Sequence, residues 1–216
     1  YQAFLSAVFL ALGVLAPVGY FAAPVLLDMI NAAPEVQVEA LPYIRIVFVF
    51  SIGMLIFFMM SGALRSAGDA RTPLRLGIAM TVLNIVLNVI LIRGLGPIPA
   101  FGTVGAAMGT AIASGLTGVV FVGLLFSGRL AVKFSPSMSF APDWQIIREL
   151  FRFGLPTGFQ GVVMNIAGVL LLRFIGSLEH SSQAQAAYAV GYTELFALIT
   201  WTSVGLMGAT AAVAGQ

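Results

Sequence analysis

Cysteine is absent from this chain, and histidine occurs once, as His180. Disulfides and thiolate metal sites are thereby excluded, and one imidazole in a loop cannot assemble a zinc site by itself. His180 reads as a solvated loop residue. Charge is almost as scarce: 8% of the residues are Asp, Glu, Lys or Arg, where soluble domains carry roughly 25%. An initiator Met and a signal-peptide pattern are also missing ahead of Tyr1. Nothing resembling a Ser/His pair, an H-E-x-x-H helix or paired carboxylates interrupts the apolar stretches, so an intramembrane hydrolase has no support and no enzymatic activity is expected.

What is present is hydrophobic. Such residues make up 60% of the chain and the mean hydropathy is +1.04. Cutting at charges and turn clusters leaves six apolar stretches, at about 3–27, 43–64, 74–92, 102–127, 153–175 and 186–214. Each reaches the roughly 20 residues that cross a bilayer core of about 30 Å as a helix. The runs lack the period-2 alternation of a membrane barrel. In hydrocarbon the backbone must pair within its own segment, so the expected fold class is an all-α membrane protein with six transmembrane helices.

The basic residues give the chain a sidedness. Arg65, Arg71 and Arg75 flank the second connection, and Arg129, Lys133, Arg148 and Arg152 the fourth. The other connections hold Arg45, Arg93 and Arg173 beside Asp28, Glu35, Glu39 and Glu179. By the positive-inside rule the second and fourth connections are cytoplasmic, and both ends of the chain lie inside. Pro17, Gly19 and Pro24 predict a kink or an early stop in the first helix near Asp28. The segment with Pro34, Glu35, Glu39 and Pro42 reads as a short polar loop, and Tyr20 and Tyr43 as interfacial anchors. In the second connection Gly68 and Asp69 make the turn, Thr72 caps and Pro73 starts the next helix.

Polar side chains inside the spans are few enough to name. Gly77, Thr81, Asn84 and Asn88 share one face of the third helix, and Ala106, Thr110, Ala113 and Thr117 answer from the fourth across a short turn. Counting 1.5 Å per residue from that turn puts Asn84 and Thr110 at similar depth, roughly 14 Å below the outer boundary. Oxygens from Asn84, Asn88, Ala106 and Thr110 thus form a candidate cation or proton site, suited to Na⁺ and poor for zinc or copper. The competing reading is a packed helix pair in which Asn and Thr merely hydrogen-bond across Gly105, Ala106 and Gly109. Glu194 is the one carboxylate deep in a span, which makes it a candidate facing a cavity or, alternatively, half of a structural pair with Arg173. Gly158, Gly161, Asn165 and Gly168 on the fifth helix read as a packing seam.

Five strings occur in order: GALRSAGDARTP (62–73), NIVLNVILI (84–92), GPIPAFGTVGAAMGTAIA (96–113), FGLPTGFQG (153–161) and GLMGATAAVAGQ (205–216). Together they resemble the multidrug and toxin extrusion (MATE) family. The resemblance implies an internal fragment corresponding to helices three to eight of twelve in a two-lobe bundle. It divides the chain into 1–127 of the N-terminal lobe, a cytoplasmic linker over 128–150, and 151–216 as the start of the C-terminal lobe. It further implies a multi-pass protein of the cytoplasmic membrane that exports organic, often cationic, compounds against inward Na⁺ or H⁺. Expected partners are a small organic substrate and membrane lipid, with no nucleic acid, no cofactor beyond the coupling ion, and a monomeric full-length protein. Family members pair an Asn, an acidic residue, an Ala and a Thr in this hairpin with an Asp on helix one. Here Asn88 stands at the acidic position. The alternatives are a lipid-linked precursor flippase, against which the scarcity of Arg and Lys within spans argues, and a non-transporting membrane scaffold.

Overall fold

The structure is a computed structural model that describes residues 1–132, 134–135, 141–178, 180–195 and 197–214, with the backbone alone at 157, 193–195, 208, 211, 212 and 214. The helices follow in the order α1 (Gln2–Phe9), a π-helical turn (Leu10–Leu15), α2 (Ala16–Met29), α3 (Pro34–Val49), α4 (Ile52–Ser66), α5 (Arg71–Arg93), α6 (Gly102–Phe126), α7 (Trp144–Gly176), α8 (Ser181–Tyr188), a second π-helical turn (Ala189–Leu195) and α9 (Ala197–Ala214). Among the described residues four helices are long and apolar enough to cross a bilayer: Gln2–Met29, Arg71–Arg93, Gly102–Phe126 and Trp144–Gly176. The pair α3–α4, bent by 51°, makes a fifth if it counts as one span. The protein is therefore an all-α, multi-pass membrane protein, with four or five such spans among the described residues. The sixth apolar stretch, 186–214, contains Phe196, which lies outside the described residues.

Proline explains where the helices depart from the expected pattern. Pro17 has no N–H to give to the carbonyl of Gly13, and the chain absorbs the defect with the π-helical turn at Leu10–Leu15 and continues to Met29. The expected loop at 34–42 is helical instead. Pro34 occupies the first turn of α3, where its fixed φ suits a helix and its missing N–H has no intrahelical acceptor in any case, while Pro42 is carried inside the helix. The polarity of Glu35 and Glu39 marks an exposed helix end rather than a loop. The break comes later, at Phe50 (φ −100°, ψ 21°) and Ser51. It lets α3 and α4 pack against different parts of α6. At the α4 contact a Cβ on Gly53 would lie 2.5 Å from the backbone of Ser114, so only glycine allows the approach. Tyr20 is more than an anchor: the Arg45 guanidinium lies 4.5 Å from its ring centroid and the Arg45 Nε donates to the Tyr20 carbonyl at 3.3 Å.

The core lies toward the end where α4 and α6 finish, built from Ile56, Phe57, Met60, Leu64, Phe121 and Leu125. Phe134, from the segment after α6, completes it. Its N–H donates to the Leu125 carbonyl at 3.0 Å, and its ring meets those of Tyr1, Phe4 and Phe126 edge-on at 5.9, 5.9 and 5.3 Å. Gln2 fastens the far end of that segment: its Nε2 donates to the Ala141 carbonyl at 2.9 Å and its Oε1 accepts from the Asp143 N–H at 3.1 Å. Asp143 in turn caps α7 by accepting from the Gln145 and Ile146 N–H groups, and α7 runs unbroken through the lead-in expected at 146–151. Gly158, Gly161 and Gly168 of α7 meet nothing among the described residues, so the expected seam has no partner helix there, whereas Gly176 at the end of α7 packs against the Ile30 and Asn31 carbonyls. Lipid-facing stripes complete the picture, as on α5, where Leu74, Ile78, Val82, Ile85 and Val89 are exposed.

Between α4 and α5 the turn is made as expected at Gly68 (φ 86°), but the cap is Asp69, not Thr72. Asp69 Oδ1 accepts from the Arg71 N–H at 3.1 Å and the Thr72 N–H at 3.0 Å. Thr72 is the donor because its N–H is one of the four a helix start leaves unpaired. The backbone bond from Thr72 lowers the Asp69 pKa below its ordinary value, with the Arg75 charge adding to the effect. A carboxylate with a depressed folded-state pKa stabilises the fold fully above its unfolded pKa and loses that contribution as pH falls through the folded value. Asp69→Ala is expected to cost about 1 kcal/mol of stability at neutral pH. Asp69→Asn retains the cap and flattens the acid limb of the melting curve, which thermal unfolding of the detergent-purified protein at stepped pH values will read.

Candidate functional site

The third and fourth spanning helices of the expected pattern are α5 and α6, joined by a turn in which Gly94 and Gly96 take φ of 74° and 61°. Two further glycines bring the helices into backbone contact. A Cβ on Gly105 would lie 2.5 Å from the Leu91 carbonyl oxygen, and one on Gly109 would overlap Asn88 Oδ1. Small residues at such seams let polar side chains of one helix reach the other, and in hydrocarbon these groups have no water to turn to.

The result is a chain of hydrogen bonds with a direction. Asn88 Nδ2 donates to Asn84 Oδ1 at 3.1 Å, Asn84 Nδ2 donates to Thr110 Oγ1 at 3.2 Å, and Thr110 Oγ1 donates to the Ala106 carbonyl at 3.1 Å. Because the Thr110 hydroxyl spends its proton on Ala106, it can only accept from Asn84, and that fixes the orientation of both amides. All four candidates named from the sequence fall in this chain. Each amide spends one of its two N–H donors in the chain, and one acceptor is left over: Asn88 Oδ1 is buried with no partner among the described residues. A buried carbonyl oxygen without a donor is costly, and it is the natural ligand of a hard cation or a donor that arrives from outside. Beside Asn84 and Thr110 lies a cavity of about 170 Å³. The site holds no carboxylate, and among the described residues no group of three or more His, Asp or Glu could hold a metal ion.

The remaining polar positions are distributed differently. Thr81 donates to the Gly77 carbonyl at 3.0 Å and borders the cavity from α5, whereas Thr117 bonds back to the Ala113 carbonyl at 2.8 Å and takes no part. Ser114, Met54 and Met80 line the cavity without having been singled out in the sequence. Ser114 was legible as the next small polar residue one turn beyond Thr110; the two methionines carry no polar signal and come from packing alone. Glu194 lies in the second π-helical turn, Ala189–Leu195, and its side chain is outside the described residues. Lys133, Glu179 and Gly215 are likewise outside them. His180 is exposed and precedes α8.

The family model described as MatE matches residues 1–90. The chain is 31% identical over 166 residues to the probable multidrug resistance protein NorM of Thermotoga maritima, which covers 74% of this chain and 34% of that protein. The chain is a MATE-family homologue. It is also 29% identical over 150 residues to the probable multidrug resistance protein YoeA of Bacillus subtilis, covering 68% of this chain and 32% of that protein. With the multidrug export protein MepA of Staphylococcus saprophyticus it shares 27% identity over 189 residues, 87% of this chain and 39% of that protein. A solved structure of an inward-facing multidrug resistance MATE family transporter of the MOP superfamily superposes with a TM-score of 0.76 at 24% identity, covering 97% of this chain and 45% of that chain. That likeness shows the fold. The MATE homologue thus spans less than half the length of these relatives.

Gly109 controls the geometry of the MATE homologue's polar chain. Gly109→Ala places a methyl group where Asn88 Oδ1 lies, so the amide must turn away and release Asn84. An overpacking cost of about 1–3 kcal/mol is expected. Asn88→Ala in the same background should recover part of it, and a double-variant cycle on detergent-solubilised protein measures the coupling.

Proposed function

We propose that this chain is the middle part of a secondary antiporter that exports organic, often cationic, compounds in exchange for inward Na⁺ or H⁺, and that Asn84, Asn88, Ala106 and Thr110 contribute to its cation or proton site. The observation that carries the reading is the directional hydrogen-bond chain that starts at Asn88, whose Oδ1 has no partner, and ends on the Ala106 carbonyl. A packed helix pair alone would be better served by leaving no orphan acceptor. Amide, hydroxyl and backbone carbonyl oxygens do not titrate near neutral pH, so on this pair a metal cation binds more readily than a bare proton. If protons drive export, Glu194 is the titrating group we assign to them, and the exchange then depends on a carboxylate held inside a span. Relatives named as multidrug export and resistance proteins support the substrate class. Midplane sites between two rocking halves are the usual arrangement in such carriers.

In this reading the chain spans the membrane six times, with 186–214 as the sixth span. The loops at 65–73 and 128–150 are cytoplasmic and the lobes 1–127 and 151–216 meet at the second of them. The arginine distribution supports this orientation. A cysteine placed at Ser135 should resist an impermeant thiol reagent in intact cells and react after the inner face is opened; efficient labelling from outside would reverse the topology.

Transport tests the site. In proteoliposomes of the full-length protein, a labelled cationic dye should show counterflow, and Asn84→Leu or Thr110→Val should lower Na⁺-driven efflux by about tenfold, the value of one hydrogen bond to a charged group. Glu194→Gln should lower export driven by a pH gradient. Unchanged efflux in the first two variants, with stability reduced, would return Asn84 and Thr110 to helix packing.

A further inference from the structure

A groove of about 680 Å³ runs between α4, α5 and α9 and borders, through Met80 and Thr81, the cavity beside Asn84 and Thr110. Its walls are apolar and aromatic, chiefly Phe57, Phe58, Leu74, Ile78 and Trp201. From Pro73 to Val82 it follows α5 for about 14 Å, close to half of a roughly 30 Å hydrocarbon core. At one end stands Arg65. Its Nε donates to the Ser61 carbonyl at 3.1 Å, and no carboxylate among the described residues pairs with its charge. Arg71 and Arg75 are exposed at the same end of the bundle, and Asp69 is committed to capping α5.

We propose that this groove binds an anionic phospholipid, with one acyl chain against Phe57, Ile78 and Trp201 and the phosphate on Arg65. The depth of the groove matches one leaflet, and its single charged end carries the sign that an anionic headgroup complements. An organic cation is disfavoured at the same place, because its charge would meet Arg65 in a weakly screened setting. The groove adjoins the cavity beside Asn84 and Thr110, with which it shares Met80 and Thr81, but the lipid proposal rests on Arg65 and stands whether or not the transport reading holds.

Trp201 supplies the readout, taken as the difference in quenching between the protein and its Trp201→Phe variant. The full-length protein, purified and reconstituted in nanodiscs, is titrated with phosphatidylglycerol or phosphatidylcholine carrying brominated acyl chains, which quench an indole on contact. The expected result is quenching of Trp201 at about fivefold lower mole fraction of the anionic lipid, the factor one basic residue supplies at a charged surface. Arg65→Gln should abolish that preference, Arg65→Lys should keep most of it, and Arg71→Gln should leave it nearly intact. Equal quenching by the two headgroups overturns the proposal, as does an equal loss in Arg71→Gln, which would reduce the effect to general surface attraction. Should Arg65→Gln fail to fold, relief of quenching by unlabelled phosphatidylglycerol but not by phosphatidylcholine, in the protein with Arg65 intact, gives the same decision.

Discussion

Backbone contact between α5 and α6 is the constraint on which the polar interior depends. At Gly105 the two helices approach until a single methyl group would strike the Leu91 carbonyl. Without that approach Asn84 could not reach Thr110, and its Nδ2 would lose that acceptor in hydrocarbon, while the Asn88–Asn84 bond stays within α5. The hydrogen bonds and the glycines are thus one device. The same logic operates at Gly53, which lets α4 lie on the backbone of α6, and it places the aromatic core, with Phe57 and Phe121, directly beside the polar seam.

The neutral character of the seam has a chemical meaning. Where members of the resembling family carry an acid, Asn88 keeps the shape of a carboxylate but not its charge. An amide also brings donors, and here its Nδ2 is used on Asn84 while Oδ1 is free. Arg65, by contrast, keeps a positive charge at the edge of the hydrocarbon.

Much of the fold was legible in residues. Hydropathy located α5 and α6 almost to their ends, because Gly94, Gly96 and the arginines at 71 and 93 punctuate them. The face shared by Asn84 and Asn88, and its meeting with Thr110, followed from helical period and a short turn. Proline misled the reading of the second span, since Pro34 and Pro42 suggest a loop while the chain uses one to start a helix and carries the other inside it. The cap at Asp69 was assigned to its neighbour Thr72, a slip of position that sequence cannot resolve when both residue types are capable acceptors. Gly109 was visible as a small residue, but its pairing with Asn88 depends on the rotation of α6, which only packing fixes.

The π-helical turn at Leu10–Leu15 sets the direction in which the first span looks. One extra residue in a helix turns everything beyond it by about 100° while lengthening the rod by a single rise. The two halves of Gln2–Met29 therefore present different faces to the bundle: α1 lies against α4 and the start of α7, whereas α2 lies against α3, where Gly19 admits the ring of Phe48. A straight helix with the same residues could satisfy only one of these neighbours. A single span thereby belongs to two interfaces at once, and its wide turn is the joint at which allegiance passes from one to the other.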